Sequence, residues 1–118
     1  MAMYEGFLSL RNSKSTSGEQ KYCILVTNLL FVFDSQEDGQ CMKGMCQAME
    51  IIGVQELDLN SRRGSYGFQF MTNCEVFVFV TVANLVEKIY WMYQMRLGLQ
   101  IYASNLGSES CGIFRFKK

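Results

Sequence analysis

Asn84–Tyr102 reads NLVEKIYWMYQMRLGLQIY, and its spacing decides how the rest of the chain is arranged. At about 100° per residue, Leu85, Trp91, Met92, Met95 and Leu99 fall on one stripe of a helix. Asn84 is suited to cap the first turn, and Glu87 stands three residues later, as a capping box requires. The stripe carries the chain's only tryptophan and needs an apolar surface to cover. The spacing therefore predicts one amphipathic helix over Asn84–Tyr102, closing a structure built from the residues ahead of it. A second stripe, Val86, Tyr90, Tyr93, Leu97 and Ile101, lies roughly opposite. One helix on one sheet cannot bury both faces, so the second stripe is a candidate binding surface.

Everything before Asn84 reads as strand and turn. Tyr4–Arg11 alternates, with Leu8 and Leu10 on one side. The polar run Asn12–Glu19 separates it from Gln20–Thr27 and Leu29–Phe33, rich in β-branched and aromatic residues around a turn at Asn28. Asp34–Gln47 reads as a mobile loop. Ala48–Ile52 and Gln55–Leu59 read as two short strands divided by Gly53. Asn60–Ser65 is a turn with the only adjacent arginines, Arg62 and Arg63. Tyr66–Thr72 and Glu75–Val82 form a hairpin around Asn73, and EVFVFVTV is apolar on both faces, as a central strand with one face under the helix would be. Seven strands with short connections and one C-terminal helix predict an antiparallel barrel or sandwich, with the helix over one open end. The helix ends in a Ser/Gly linker, and a basic-aromatic tail, IFRFKK, follows.

Composition narrows the function. The 118 residues suit one domain, and 11 basic residues balance 11 acidic ones. No global field draws the protein to nucleic acid. No apolar run approaches the ~20 residues of a membrane helix, and MAMYEG lacks the regions of a signal peptide. Five scattered cysteines, an odd number, fit a reducing, cytoplasmic setting better than a disulfide framework. Cys41 and Cys46 are the one close pair and read as loop thiols. The chain has no histidine, which removes the imidazole base of most acid–base catalysis and the mixed cysteine–histidine zinc sets. Nucleophile-elbow and phosphate-loop patterns are absent. No enzyme, metal or cofactor is expected.

Four patterns, in order, resemble the pleckstrin-homology (PH) family. Glu5-Gly6-Phe7-Leu8 is similar to its opening strand, and Lys21-Tyr22-Cys23-Ile24-Leu25 to its second. Tyr66-Gly67-Phe68-Gln69-Phe70 resembles its sixth strand, and Trp91-Met92 stands where the closing helix carries tryptophan and an aliphatic residue. The resemblance spans about residues 4–102. It implies a mainly β fold, a seven-stranded, strongly bent antiparallel barrel capped by the helix Asn84–Tyr102. The PH-like domain would cover 4–103, leaving 104–118 as linker and tail. It also implies a ligand site at the open end, formed by the first, third and sixth interstrand loops, where many members hold inositol-lipid phosphates. There a basic residue ends the first strand and a basic-x-Arg pair opens the second. Arg11 approximates the first position and Lys21 the last, but the middle position is Glu19, which repels phosphate and can pair with Lys14 or Lys21.

Two candidate sites follow. The first is basic: Arg11, Lys14, Lys21, Arg62 and Arg63, with Lys43 nearby. Each well-formed phosphate contact is worth about 1.5–3 kcal/mol, and Glu19, Glu37 and Asp38 oppose it. The second is the helix stripe Val86, Tyr90, Tyr93 and Leu97, where two tyrosines suit an interface with a wet edge. Its occupant is either the chain's own tail, through Ile113, Phe114 and Phe116, or a protein: a neighbouring domain, a separate partner or a second copy. The function expected is a noncatalytic adaptor recruiting a protein or a membrane surface. The alternative is a phosphoinositide-reading module, peripheral to the membrane.

Overall fold

Valines at every second position of one apolar run set the inside of the structure. The protein's computed structural model describes residues 4–12, 19–41, 46–57 and 66–112, with Asn12 and 106–112 described by main chain only. Strand β6 (Phe77–Val82) turns Val78, Val80 and Val82 inward, while Phe77 is exposed on the other face. Its neighbours are β1 (Tyr4–Asn12) and β5 (Tyr66–Thr72). With β2 (Glu19–Val26), β3 (Leu29–Phe33) and β4 (Gln47–Glu56) they close an antiparallel barrel in sequence order, six strands among the described residues.

The expected pair of strands around Gly53 is one strand, β4, and this accounts for six rather than seven. The first half of β4 pairs with β3, ending at Leu29↔Glu50. Its second half pairs with β5, and the register shifts between Ile51 and Gly53. A bulge bends a strand without ending it, so Gly53 marks a corner of the barrel and not a break. The expected loop after β3 contains a short helix, α1 (Gln36–Cys41). Ser35 caps it, its Oγ accepting from the Asp38 N–H at 3.1 Å. Gly39 lets α1 approach the outside of the barrel: a Cβ there would lie 2.4 Å from Tyr22 Cδ2. Beneath it Tyr22, Ile24 and Phe33 form a small outer cluster, with Phe7 edge-on to Tyr22 at 5.2 Å. The Tyr22 hydroxyl donates to Glu5.

Helix α2 (Leu85–Gly112) crosses the end of the barrel where β2 turns into β3. Asn84 caps it, Oδ1 accepting from the Glu87 N–H at 2.9 Å. Trp91, Met92 and Met95 are buried with Leu8, Cys23, Leu25, Leu30, Ile51, Phe68, Phe70 and Val80 in the main core, and Leu99 packs against it. Leu85, expected on the same stripe, is exposed instead, because α2 has only begun its crossing at the first turn. The helix also runs ten residues past Tyr102, through the stretch expected to be a linker. Adding a residue to a formed helix costs little, whereas starting one is costly, and the chain has no proline to stop it. Ile101–Asn105 are exposed, so this extension leaves the barrel behind.

Candidate functional site

The topology roots the segments that carry the expected basic residues at different ends of the barrel. Successive antiparallel connections alternate between the two ends of a barrel. The β1–β2, β3–β4 and β5–β6 connections therefore share the end away from α2. Lys14 and Lys43 belong to the first two and lie outside the described residues, as do Arg62 and Arg63. The segment carrying Arg62 and Arg63 joins β4 to β5 at the opposite end, where α2 begins: the Leu57 carbonyl accepts from Lys88 Nζ at 3.3 Å. The fold thus does not root the five basic residues at one mouth.

Of the two described members, Lys21 is already engaged. Its Nζ lies 2.8 Å from Asp34 Oδ1 and 3.2 Å from Glu19 Oε2. These carboxylates, Asp34 foremost, hold its ammonium above the ordinary lysine value. Asp34 continues the β2–β3 register opposite Lys21, a contact that separation in sequence concealed. Arg11 is exposed on β1, paired with Phe79 of β6. By strand alternation it shares a face with Ser9, whereas Lys21 sits opposite inward-facing Leu8. One phosphate would meet a neutralised lysine at this end, with Arg11 on the other side of the sheet.

The outer face of α2 has the opposite character. Val86, Tyr90 and Tyr93 are 60%, 52% and 59% exposed, and Leu85 and Ile89 join them at 48% and 56%. Leu97 is half-buried on the flank. Tyr90 is partly occupied, stacked on Tyr4 with ring centroids 6.5 Å apart. Tyr4 also meets Trp91 edge-on at 4.7 Å. Burial, then Glu87 and Tyr90, raises the Tyr4 hydroxyl above its ordinary value. Between the helix and β4 runs a groove of about 290 Å³, floored by Leu85, Ile89, Met92 and Tyr93. Lys88, only 7% exposed, reaches Glu56 Oε2 at 3.2 Å along one wall. Arg96 lines the groove too and has no ion pair among the described residues.

Ile89, Lys88, Glu56 and Arg96 were not singled out from the sequence. Ile89 lies about 160° from Trp91 on the helical wheel, so the exposed stripe is wider than the tyrosine spacing implied. A lysine inside the buried stripe was also a legible signal that an acid had to sit nearby. Nothing local identified that acid as Glu56, 32 residues earlier in the chain.

Among the described residues no group of cysteines and carboxylates could hold a metal, and no helix is long and apolar enough to cross a membrane. No family sequence model and no curated protein matches the chain. Solved structures do. A solution structure of a pleckstrin-homology domain matches all of this chain and 96% of its own, with a TM-score of 0.68 and 13% identity. The C-terminal PH domain of human pleckstrin matches 85% of this chain and 81% of its own, with a TM-score of 0.65 and 16% identity. Vav1 bound to an allosteric inhibitor matches 83% of this chain with a TM-score of 0.67 and 13% identity. This chain spans 18% of that Vav1 chain. These similarities show the fold: this chain's antiparallel barrel, closed by a helix that buries its one tryptophan, has the pleckstrin-homology fold.

Proposed function

We propose that this domain is a noncatalytic module for protein association, and that the association is made on the outer face of α2. The observation that carries the reading is the run of half-exposed Leu85, Val86, Ile89, Tyr90 and Tyr93, on a helix whose other side is committed to the core. At about 100 Å² left open per large side chain, the face matches the largest apolar patches of ordinary monomers, which are often functional. In this reading the protein works in the cytosol and meets a membrane only peripherally.

Phosphoinositide binding through Arg11, Lys14, Lys21, Arg62 and Arg63 is the second reading. The PH fold favours it, and the Asp34–Lys21–Glu19 cluster opposes it. Chemical crosslinking in cells, comparing the parent with Tyr93→Glu, tests the first reading. Protein adducts of the parent should vanish in the variant, and an unchanged adduct pattern refutes the reading. Sedimentation with vesicles containing phosphatidylinositol bisphosphate tests the second. The parent should show no headgroup-selective binding, while Glu19→Lys, which removes one of the two carboxylates on Lys21 and adds a cation, should gain some. Tight selective binding by the parent, lost in Lys21→Ala, would make the lipid reading the correct one.

A further inference from the structure

We infer that the occupant of the α2 outer face is a second copy of this chain, packed antiparallel across a twofold axis level with Met92. The inference rests on the protein-association reading above and names its partner.

Residues 113–118 are too short a segment to be the occupant. Helix α2 runs to Gly112, which places Tyr93 about 28 Å back along the axis at 1.5 Å per residue. The six residues Ile113–Lys118 span at most about 21 Å when fully extended. Phe114 and Phe116 end shorter still. These six residues therefore reach neither Tyr93 nor the residues before it, Ile89 and Val86.

Charge then selects the partner. Among the described residues the groove has one cation without an ion pair, Arg96, and one solvent-facing carboxylate, Glu56, held level with Lys88 by the 3.2 Å contact. Residues 88 and 96 are eight positions, about 12 Å, apart on the same side of the helix. A twofold axis perpendicular to α2 and midway between them, at Met92, reverses the helix and exchanges these two levels. Arg96 of each copy then stands over Glu56 of the other, so a single self-complementary contact is made twice, as an isologous interface requires. The same axis brings Tyr93 beside its own symmetry mate and sets Ile89 and Val86 of one copy along the helix of the other. The apolar centre is then rimmed by the two Arg96–Glu56 pairs. An unrelated partner would have to supply both the apolar strip and a matching acid and base at that separation. A second copy supplies them by symmetry.

The test is sedimentation velocity on the purified full chain over a rising concentration series, with no other protein present. The parent should move from monomer to dimer, and added salt should weaken the dimer as the rim pairs are screened. Tyr93→Glu, which buries two unpaired carboxylates near the axis, should weaken association at least about 100-fold. At concentrations where the parent is monomeric, its melting temperature and circular dichroism should match the parent's, since Tyr93 lies outside the core. Arg96→Ala should weaken the dimer about tenfold and Arg96→Lys should largely keep it. A parent that stays monomeric at every concentration overturns the inference, as does a dimer indifferent to Tyr93→Glu. A monomeric parent that still forms Tyr93-dependent adducts in cells would leave the association reading standing and remove only the second copy. Loss of both would end both.

Discussion

Gly98→Ala gives the sharpest test of how α2 sits on the barrel. In an ordinary helix the change is favourable by about 1 kcal/mol, because alanine loses less backbone freedom on folding. Here Gly98 is buried where α2 crosses the β2–β3 turn. A Cβ would fall 1.8 Å from the Thr27 carbonyl oxygen, 2.5 Å from its carbon and 3.3 Å from the Asn28 nitrogen. These are main-chain atoms on both sides, so no side chain can rotate away. The turn itself has little slack. Thr27 is at φ 54, unusual for a β-branched residue, and buried Asn28 is pinned to Ile51 by bonds of 2.8 and 3.2 Å. To restore an ordinary contact the helix must lift by about 1.5 Å, and a gap of that size forfeits much of the dispersion contact beneath it. Trp91, Met95 and Leu99 would lose packing together. Overpacking of this kind costs about 3 kcal/mol at the upper end of its usual range. Subtracting the helix gain leaves a net loss of about 2 kcal/mol, a fall in Tm of about 8 °C for a domain this size. Gly53→Ala is the control, since a Cβ there meets nothing within 4 Å. It should leave Tm unchanged or raise it, by up to about 1 kcal/mol of stability. Differential scanning calorimetry on both variants decides the matter. A Gly98→Ala protein melting at or above the parent would show that α2 does not bear on the Thr27–Asn28 turn.

Three further outcomes follow from the same packing. Trp91→Ala should cost about 3–5 kcal/mol, leaving a domain of ordinary stability marginal or unfolded; a melt within a degree or two of the parent would contradict its place in the core. Asn84→Ala removes the oxygen that caps the Glu87 N–H and should lower stability by about 1 kcal/mol in urea titration, with unchanged m-value. Alkaline conditions should destabilise the fold. Burial pushes the Cys23 thiol up to about 12, and burial, then Glu5, pushes the Tyr22 hydroxyl up to about 12. Both groups ionise earlier in the unfolded chain, so stability present below about pH 9 should be lost progressively as pH rises toward 12. Cys23→Val should flatten the lower part of that decline, and an unchanged slope would exclude the thiol as its cause.

Local sequence was enough for much of the architecture. Period-two alternation in Tyr4–Arg11 set Leu8 and Leu10 on one side, where Leu8 is buried and Leu10 is partly buried against the core. The 3.6-residue period placed Trp91, Met92 and Met95 there too, and the Asn84 cap is formed as its spacing required. These features are legible because each depends on residues within one turn or one strand. Gly53 and Ala103–Gly112 misled for the same reason in reverse. A glycine is compatible with a break or a bulge, and a Ser/Gly-rich segment with a linker or a helix already under way.

The sequence by itself determined the class of fold, the helix that closes it and the two surfaces where binding could occur. The contacts that bear on the two surfaces belong to the tertiary structure. Lys21 reads as a phosphate ligand until β2–β3 pairing sets Asp34 2.8 Å from its ammonium. Arg62 and Arg63 read as partners of Lys14 until the alternation of strands roots their segment at the other end of the barrel. Lys88 and Glu56 meet only because α2 is laid across β4. Coulomb interactions and packing depend on distance in space, and in a barrel whose ends are interleaved along the chain, nearness in sequence is a poor guide to it.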